Sequence, residues 1–216
     1  MSDEDQWKSF AWDADEFFIS YMMVACDSSF VESTHFLYGH SVELYLKAIY
    51  AKQTNDMKTA MAGRHNIREL LQLCQAGNPP FMLSFSFKGT FDELYKIQNK
   101  VSREISLPNS EGKKLTDVLT EEEIEKYNHY VQHQEFYYIS ENLMNLKYLH
   151  SPWKGLGKGN KGKNFVSMRP DLFLINFVKE VKAYLGFDNG LIKNCLEGFG
   201  CNLSQNTKGW LSEIYK

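Results

Sequence analysis

Cysteine is scarce and unpatterned in this sequence: Cys26, Cys74, Cys195 and Cys201 form no C-x-x-C pair and no zinc-ligand spacing. That argues against a structural zinc module and against a disulfide framework, and for buried or free thiols in a reducing compartment. Long apolar runs are lacking as well, none approaching the roughly 20 apolar residues that a membrane-spanning helix needs. The start of the chain, Met1-Ser2-Asp3-Glu4-Asp5, is acidic and has no apolar signal-peptide core. A cytoplasmic protein with no membrane association is the expectation. No excess of positive charge is present either. Lys and Arg number 24 against 27 Asp and Glu, a formal charge of −3, so only a local basic patch could attract a polyanion. G-x-S-x-G, H-E-x-x-H and G-x-G-x-x-G are all missing, and no Ser, Cys or Thr nucleophile can be paired with a base from the sequence.

What is present is apolar material in helical register. The 216 residues are 43% hydrophobic and 14% aromatic, enough for one domain burying roughly 70% of the surface its unfolded chain exposes. Ala11, Ala14, Phe18, Met22 and Ala25 share one side of a helix from about Phe10 to Asp27. Val31 to Gln53 is apolar over most of its circumference, as a helix in the middle of a bundle would be. Ile67, Leu70, Leu71 and Cys74 line a third helix near His65 to Gln75, which Gly77-Asn78-Pro79-Pro80 ends. The alternating stretch from Phe81 to Phe87 reads as coil packed on the bundle, because a lone strand cannot stabilise itself. A fourth helix spans Thr90 to about Arg103. Thr120 and Glu123 form a capping box that opens a fifth, uninterrupted to about Leu149, and Pro170-Asp171 opens a sixth that closes at Gly186. The expected fold is all-α, a bundle over residues 8–186 with a C-terminal tail over 187–216 packed on it, helical near Trp210 to Tyr215.

Three groups of residues invite a chemical reading. Gly157 to Lys163 fits G-x-x-x-x-G-K, yet Asn164 stands where a phosphate-binding loop needs Ser or Thr, and no strand precedes it. A glycine-lysine linker over Lys154 to Lys163 is the better description. His129 and His133 lie one turn apart with Glu122 and Glu125 on the same face, but no third ligand of defined spacing accompanies them, so no metal and no cofactor are expected. His40, Glu43 and Lys47 stand at i, i+3 and i+7 and form nearly the whole polar stripe of the second helix. Charged groups on a buried helix require partners or a function. Arg64 and His65 follow after a short connection, so any site is expected where these five residues meet: either Lys47 and Arg64 donate to a phosphate with Glu43 orienting one of them, or the same groups satisfy one another and cap the third helix.

The segment Phe36-Leu37-Tyr38-Gly39-His40-Ser41-Val42-Glu43-Leu44-Tyr45-Leu46-Lys47-Ala48, with Gly63-Arg64-His65-Asn66-Ile67-Arg68-Glu69-Leu70 after it, resembles the HEPN superfamily (higher eukaryotes and prokaryotes nucleotide-binding). Such proteins carry a G-H-x-x-E-x-x-x-K-A type pattern on the second helix and G-H-[DN]-L-x-x-L at the third; here an arginine is inserted before His65. The likeness covers about Phe10 to Cys74. It implies an up-and-down helical bundle, frequently dimeric, acting as an RNA-cutting toxin or defence component paired with an antitoxin, or as a non-catalytic binder of nucleotide or RNA. Nuclease members carry R-x4-6-H on a late helix. None of Arg64, Arg68, Arg103 and Arg169 is followed by histidine at that spacing, and the nearest relic is Lys126-x6-His133. Lysine lacks the planar two-pronged donor of arginine, so the expectation is a non-catalytic member that binds nucleotide or RNA, with the ribonuclease and a ligand-free interaction module as alternatives.

Overall fold

A computed structural model describes residues 6–27, 31–62, 65–77, 85–105, 112–147, 172–198 and 204–215. Among these residues every regular element is a helix and no strand occurs, so the fold is all-α. The helices are α1 (Trp7–Asp27), α2 (Val31–Thr54), α3 (Met57–Met61), α4 (Ile67–Ala76), α5 (Phe91–Ile105), α6 (Leu115–Val118), α7 (Glu121–Gln132), α8 (Gln134–Lys147), α9 (Leu172–Leu185), α10 (Gly190–Gly198) and α11 (Gln205–Tyr215).

The centre is α2, which packs against α1, α3, α4, α8 and α9. Its Tyr38, Val42, Tyr45, Leu46, Ala48 and Ile49 are all fully buried, as expected of a helix apolar nearly all round. It runs antiparallel to α1: Ser41 Oγ donates to Ala14 O at 3.1 Å, while the Tyr21 ring lies 5.4 Å from Tyr38. The alanine positions of α1 permit this approach, with Ala11 and Ala14 wholly buried. On the opposite side Gly39 admits α8, because a Cβ there would stand 2.7 Å from Leu143 Cδ1 and 3.4 Å from Ile139 Cβ.

Three local features depart from the sequence expectation. First, α2 ends where expected, before the left-handed Asn55 (φ 53°), but an unexpected short α3 follows, capped by Asp56, which accepts from Thr59 N at 3.0 Å. Second, the long helix expected from Thr120 to Leu149 opens on the Thr120–Glu123 capping box as anticipated but breaks at His133, dividing α7 from α8. No Gly or Pro falls within 121–147, so the break is made by packing: the His133 ring lodges between Phe85 and Phe173, at 5.1 and 4.9 Å. Third, the tail contains α10 as well as a terminal helix, and both pack on α1, with Ile192, Thr207 and Leu211 fully buried. Phe85 to Phe87 is coil laid against the core. The glycine-lysine segment 154–163, Arg64, Arg169 and residues 81–84 lie outside the described residues. No helix of the described residues is long and apolar enough to cross a membrane.

Candidate functional site

Glu43 projects from the middle of α2, with His40 one turn before it and Lys47 one turn after. Its side chain is fully buried and Lys47 is 6% exposed. A carboxylate removed from water needs donors, and Glu43 has three. Lys47 Nζ donates to Oε1 at 2.6 Å, His65 Nδ1 lies 2.8 Å from the same oxygen, and His40 Nδ1 lies 3.2 Å from Oε2. Burial acts to raise the Glu43 carboxyl, but the hydrogen bonds from His40 and Lys47 and their charges outweigh it and bring it down to about 2. The ionised group has no proton to give, so in both histidine contacts the hydrogen sits on Nδ1.

Local structure delivers His65 to this place. Asn66 caps α4, its Oδ1 accepting from Arg68 N at 3.0 Å and Glu69 N at 3.3 Å, which fixes the residue immediately before it. His40 is held differently: the Phe17 ring meets it edge-on at 4.4 Å and Phe36 stacks on it at 5.6 Å. Both histidines keep a partly open edge, with side-chain exposures of 16% for His40 and 18% for His65. The structure therefore brings together four of the five residues singled out on α2 and before α4, around one carboxylate; the fifth, Arg64, lies outside the described residues. Chemically, the cluster orients two imidazoles by their Nδ1 atoms and sets Lys47 as the countercharge to Glu43.

The Lys126 and His133 pair is not brought together. Lys126 Nζ pairs with Glu122 Oε1 at 2.6 Å on the outer face of α7, while His133 is turned into an aromatic box. Glu125 pairs with Lys88 at 3.3 Å. Among the described residues no group of three or more His, Cys, Asp and Glu side chains could hold a metal ion. Cys74 is buried, its Sγ donates to Leu46 O at 3.3 Å, and burial pushes its thiol up to about 12, so it is no nucleophile at neutral pH.

Two polar clusters escaped the sequence analysis. Asp15 of α1 accepts from the Tyr45 hydroxyl of α2 on one oxygen and from Lys182 Nζ of α9 on the other; none of the three is more than 4% exposed. Burial drives the Asp15 carboxyl up and the Lys182 ammonium down, each opposed by the other's charge. The available signal was a charge inside an apolar stripe: Asp15 lies four after Ala11 and three before Phe18, and Lys182 lies four after Val178 and three before Leu185. The second cluster centres on Glu141 of α8. Its Oε1 accepts from Arg68 Nη2 of α4 at 2.8 Å and from Phe91 N at the start of α5 at 2.9 Å, which ties three helices together.

Set beside known proteins, this chain matches no family model, no curated protein and no solved structure.

Proposed function

We propose that this chain is a non-catalytic, HEPN-like helical-bundle protein that binds the phosphate of a nucleotide or of RNA at the open edge of the Glu43 cluster. The observation behind this reading is the convergence of His40, Lys47 and His65 on one buried carboxylate. Two parts of the chain far apart in the covalent sequence deliver cationic or hydrogen-bonding groups to one spot, and the partly open histidine edges face the boundary with solvent. Lys47 is not the phosphate grip itself. It is buried and already matched by Glu43, so it positions the cluster; His40 and His65 donate to a phosphate through Nε2 in their imidazolium forms, with Arg64, next in sequence, as the further cation. The departed nuclease pair supports a binding role over a cutting one, since Lys126 is committed to Glu122.

The test is calorimetric titration of ATP and of a short single-stranded RNA into wild type, Arg64→Ala and His40→Asn. The expected result is micromolar to millimolar binding of one of them, weakened about tenfold or more by either substitution, a loss of about 1.4 kcal/mol, with the melting temperature of Arg64→Ala unchanged. Absence of binding to both ligands, or binding untouched by both substitutions, overturns the proposal.

A further inference from the structure

A second gathering of titratable side chains lies where α7 breaks into α8, away from the Glu43 cluster. His129 and His133 stand one turn apart on α7 and at its C-cap, their ring centres 4.9 Å apart. They are walled by Phe85, with His129 at 5.0 Å and His133 at 5.1 Å, and by Phe173 of α9, 4.9 Å from His133. The Tyr137 hydroxyl accepts from Lys88 N at 2.7 Å and lies 2.9 Å from His129 Nδ1. With its hydrogen on Nε2, neutral His129 accepts the Tyr137 proton at Nδ1; protonated, it donates from Nδ1 to the remaining lone pair of the hydroxyl. His133 Nδ1 is buried with no hydrogen-bond partner, a position that tolerates a neutral ring far better than an imidazolium.

Of the charges around the pair, Lys88 opposes a cation on His129, while Glu125, which also pairs with Lys88, favours one. From the extended segment comes Lys88, and from α4 comes Arg68, whose guanidinium lies 3.8 Å from the Phe87 ring centre and 5.8 Å from that of Tyr137. The carboxylates nearby already have partners: Glu125 of α7 pairs with Lys88, and Glu141 of α8 with Arg68. Towards the pair α9 presents the apolar ring of Phe173.

We propose that His129 and His133 form an acid-sensitive latch at the α7–α8 break: neutral, they clamp α7 and the Phe85–Lys88 segment onto α8 and α9, and doubly protonated they release them. Protonation leaves the buried His133 Nδ1–H without an acceptor and places two like charges about 5 Å apart among aromatic rings, beside Lys88. Release is local because the break already separates α7 from α8, so α7 can swing without unwinding the helix that packs on α2. Burial holds both rings below the ordinary histidine value of 6.5, which is the direction an open state favoured by protons requires.

The test is native-state hydrogen exchange on the full chain at pH 7.5 and pH 5.5, corrected for the intrinsic pH dependence of exchange. The expected result is an increase in the opening of α7 amides of about ten- to hundredfold at the lower pH, with the α1 and α2 amides changing less than threefold. In His129→Gln/His133→Phe the α7 response should fall below threefold. Equal α7 protection at both pH values in wild type overturns the latch, as does an acid response that survives in the double variant. Should the double variant not fold, the wild-type imidazole resonances decide: titration of both rings below 6.5 supports the latch, and titration of either ring at or above it overturns the latch.

Discussion

At the scale of single residues the decisive fact is that Glu43 is ionised where water does not reach. Its three donors come from α2 and from the residue preceding the α4 cap, so each is held by backbone rather than by chance rotamers. Removing the charge leaves Lys47 buried without a counterion. Glu43→Gln should therefore destabilise the protein by about 3–5 kcal/mol, read from urea unfolding at pH 7. The pH dependence follows from the same group. The folded carboxyl titrates at about 2, below its ordinary 4.5, so the unfolded chain takes up the proton first. The stability contributed by the cluster is complete above pH 4.5 and is lost as the pH falls through about 2. In Glu43→Gln that part of the acid slope should disappear, and an unchanged acid limb between those pH values would show that Glu43 is not carrying it. The stripe of His40, Glu43 and Lys47 was visible in the sequence because three polar residues interrupt an apolar helix. Which of them would be fully buried, and that His65 rather than water would complete the carboxylate's shell, needed the neighbouring chain in place.

At the scale of helices, α1, α2 and α4 were legible from apolar periodicity, α9 from Pro170-Asp171 and Gly186, and the opening of α7 from the Thr120–Glu123 box; the Asn66 cap of α4 is seen in the fold. The break at His133 does not follow from the local sequence, since no helix breaker stands there; aromatic rings from the Phe85 segment and from α9 impose it. Close approach of α8 to α2 rests on one missing side chain. Gly39→Ala should place a methyl 2.7 Å from Leu143 Cδ1, forcing α8 outward or Leu143 off its rotamer. The expected cost is about 1–3 kcal/mol in chemical denaturation, beyond any gain from the better helix propensity of alanine. A Gly39→Ala protein as stable as wild type would show that Leu143 gives way freely. In a Leu143→Ala background the cost of Gly39→Ala should shrink if the clash is the cause, read as the coupling in a double-mutant cycle.

At the scale of the whole molecule, Asp15 and Lys182, 167 positions apart in sequence, join α1 to α9 through a contact closed to solvent. Such a pair costs desolvation on both sides, so its value shows only when one partner is taken away. Lys182→Met alone should destabilise by about 3–5 kcal/mol, while Asp15→Leu/Lys182→Met should recover only part of that loss, since the buried Tyr45 hydroxyl also loses its acceptor, measured as a double-mutant cycle by thermal or urea unfolding. Simple additivity of the two substitutions would mean that the pair is not coupled. By itself the sequence determined the helical class, most helix boundaries and the polar stripe of α2, because periodicity and capping act over a few residues and are written locally. Tertiary structure alone decided the partner of Asp15, the break that separates α7 from α8 and the docking of α10 on α1. Each of these depends on which surfaces meet after the chain has folded back on itself, and residues far apart in sequence carry no local mark of the neighbour they will find.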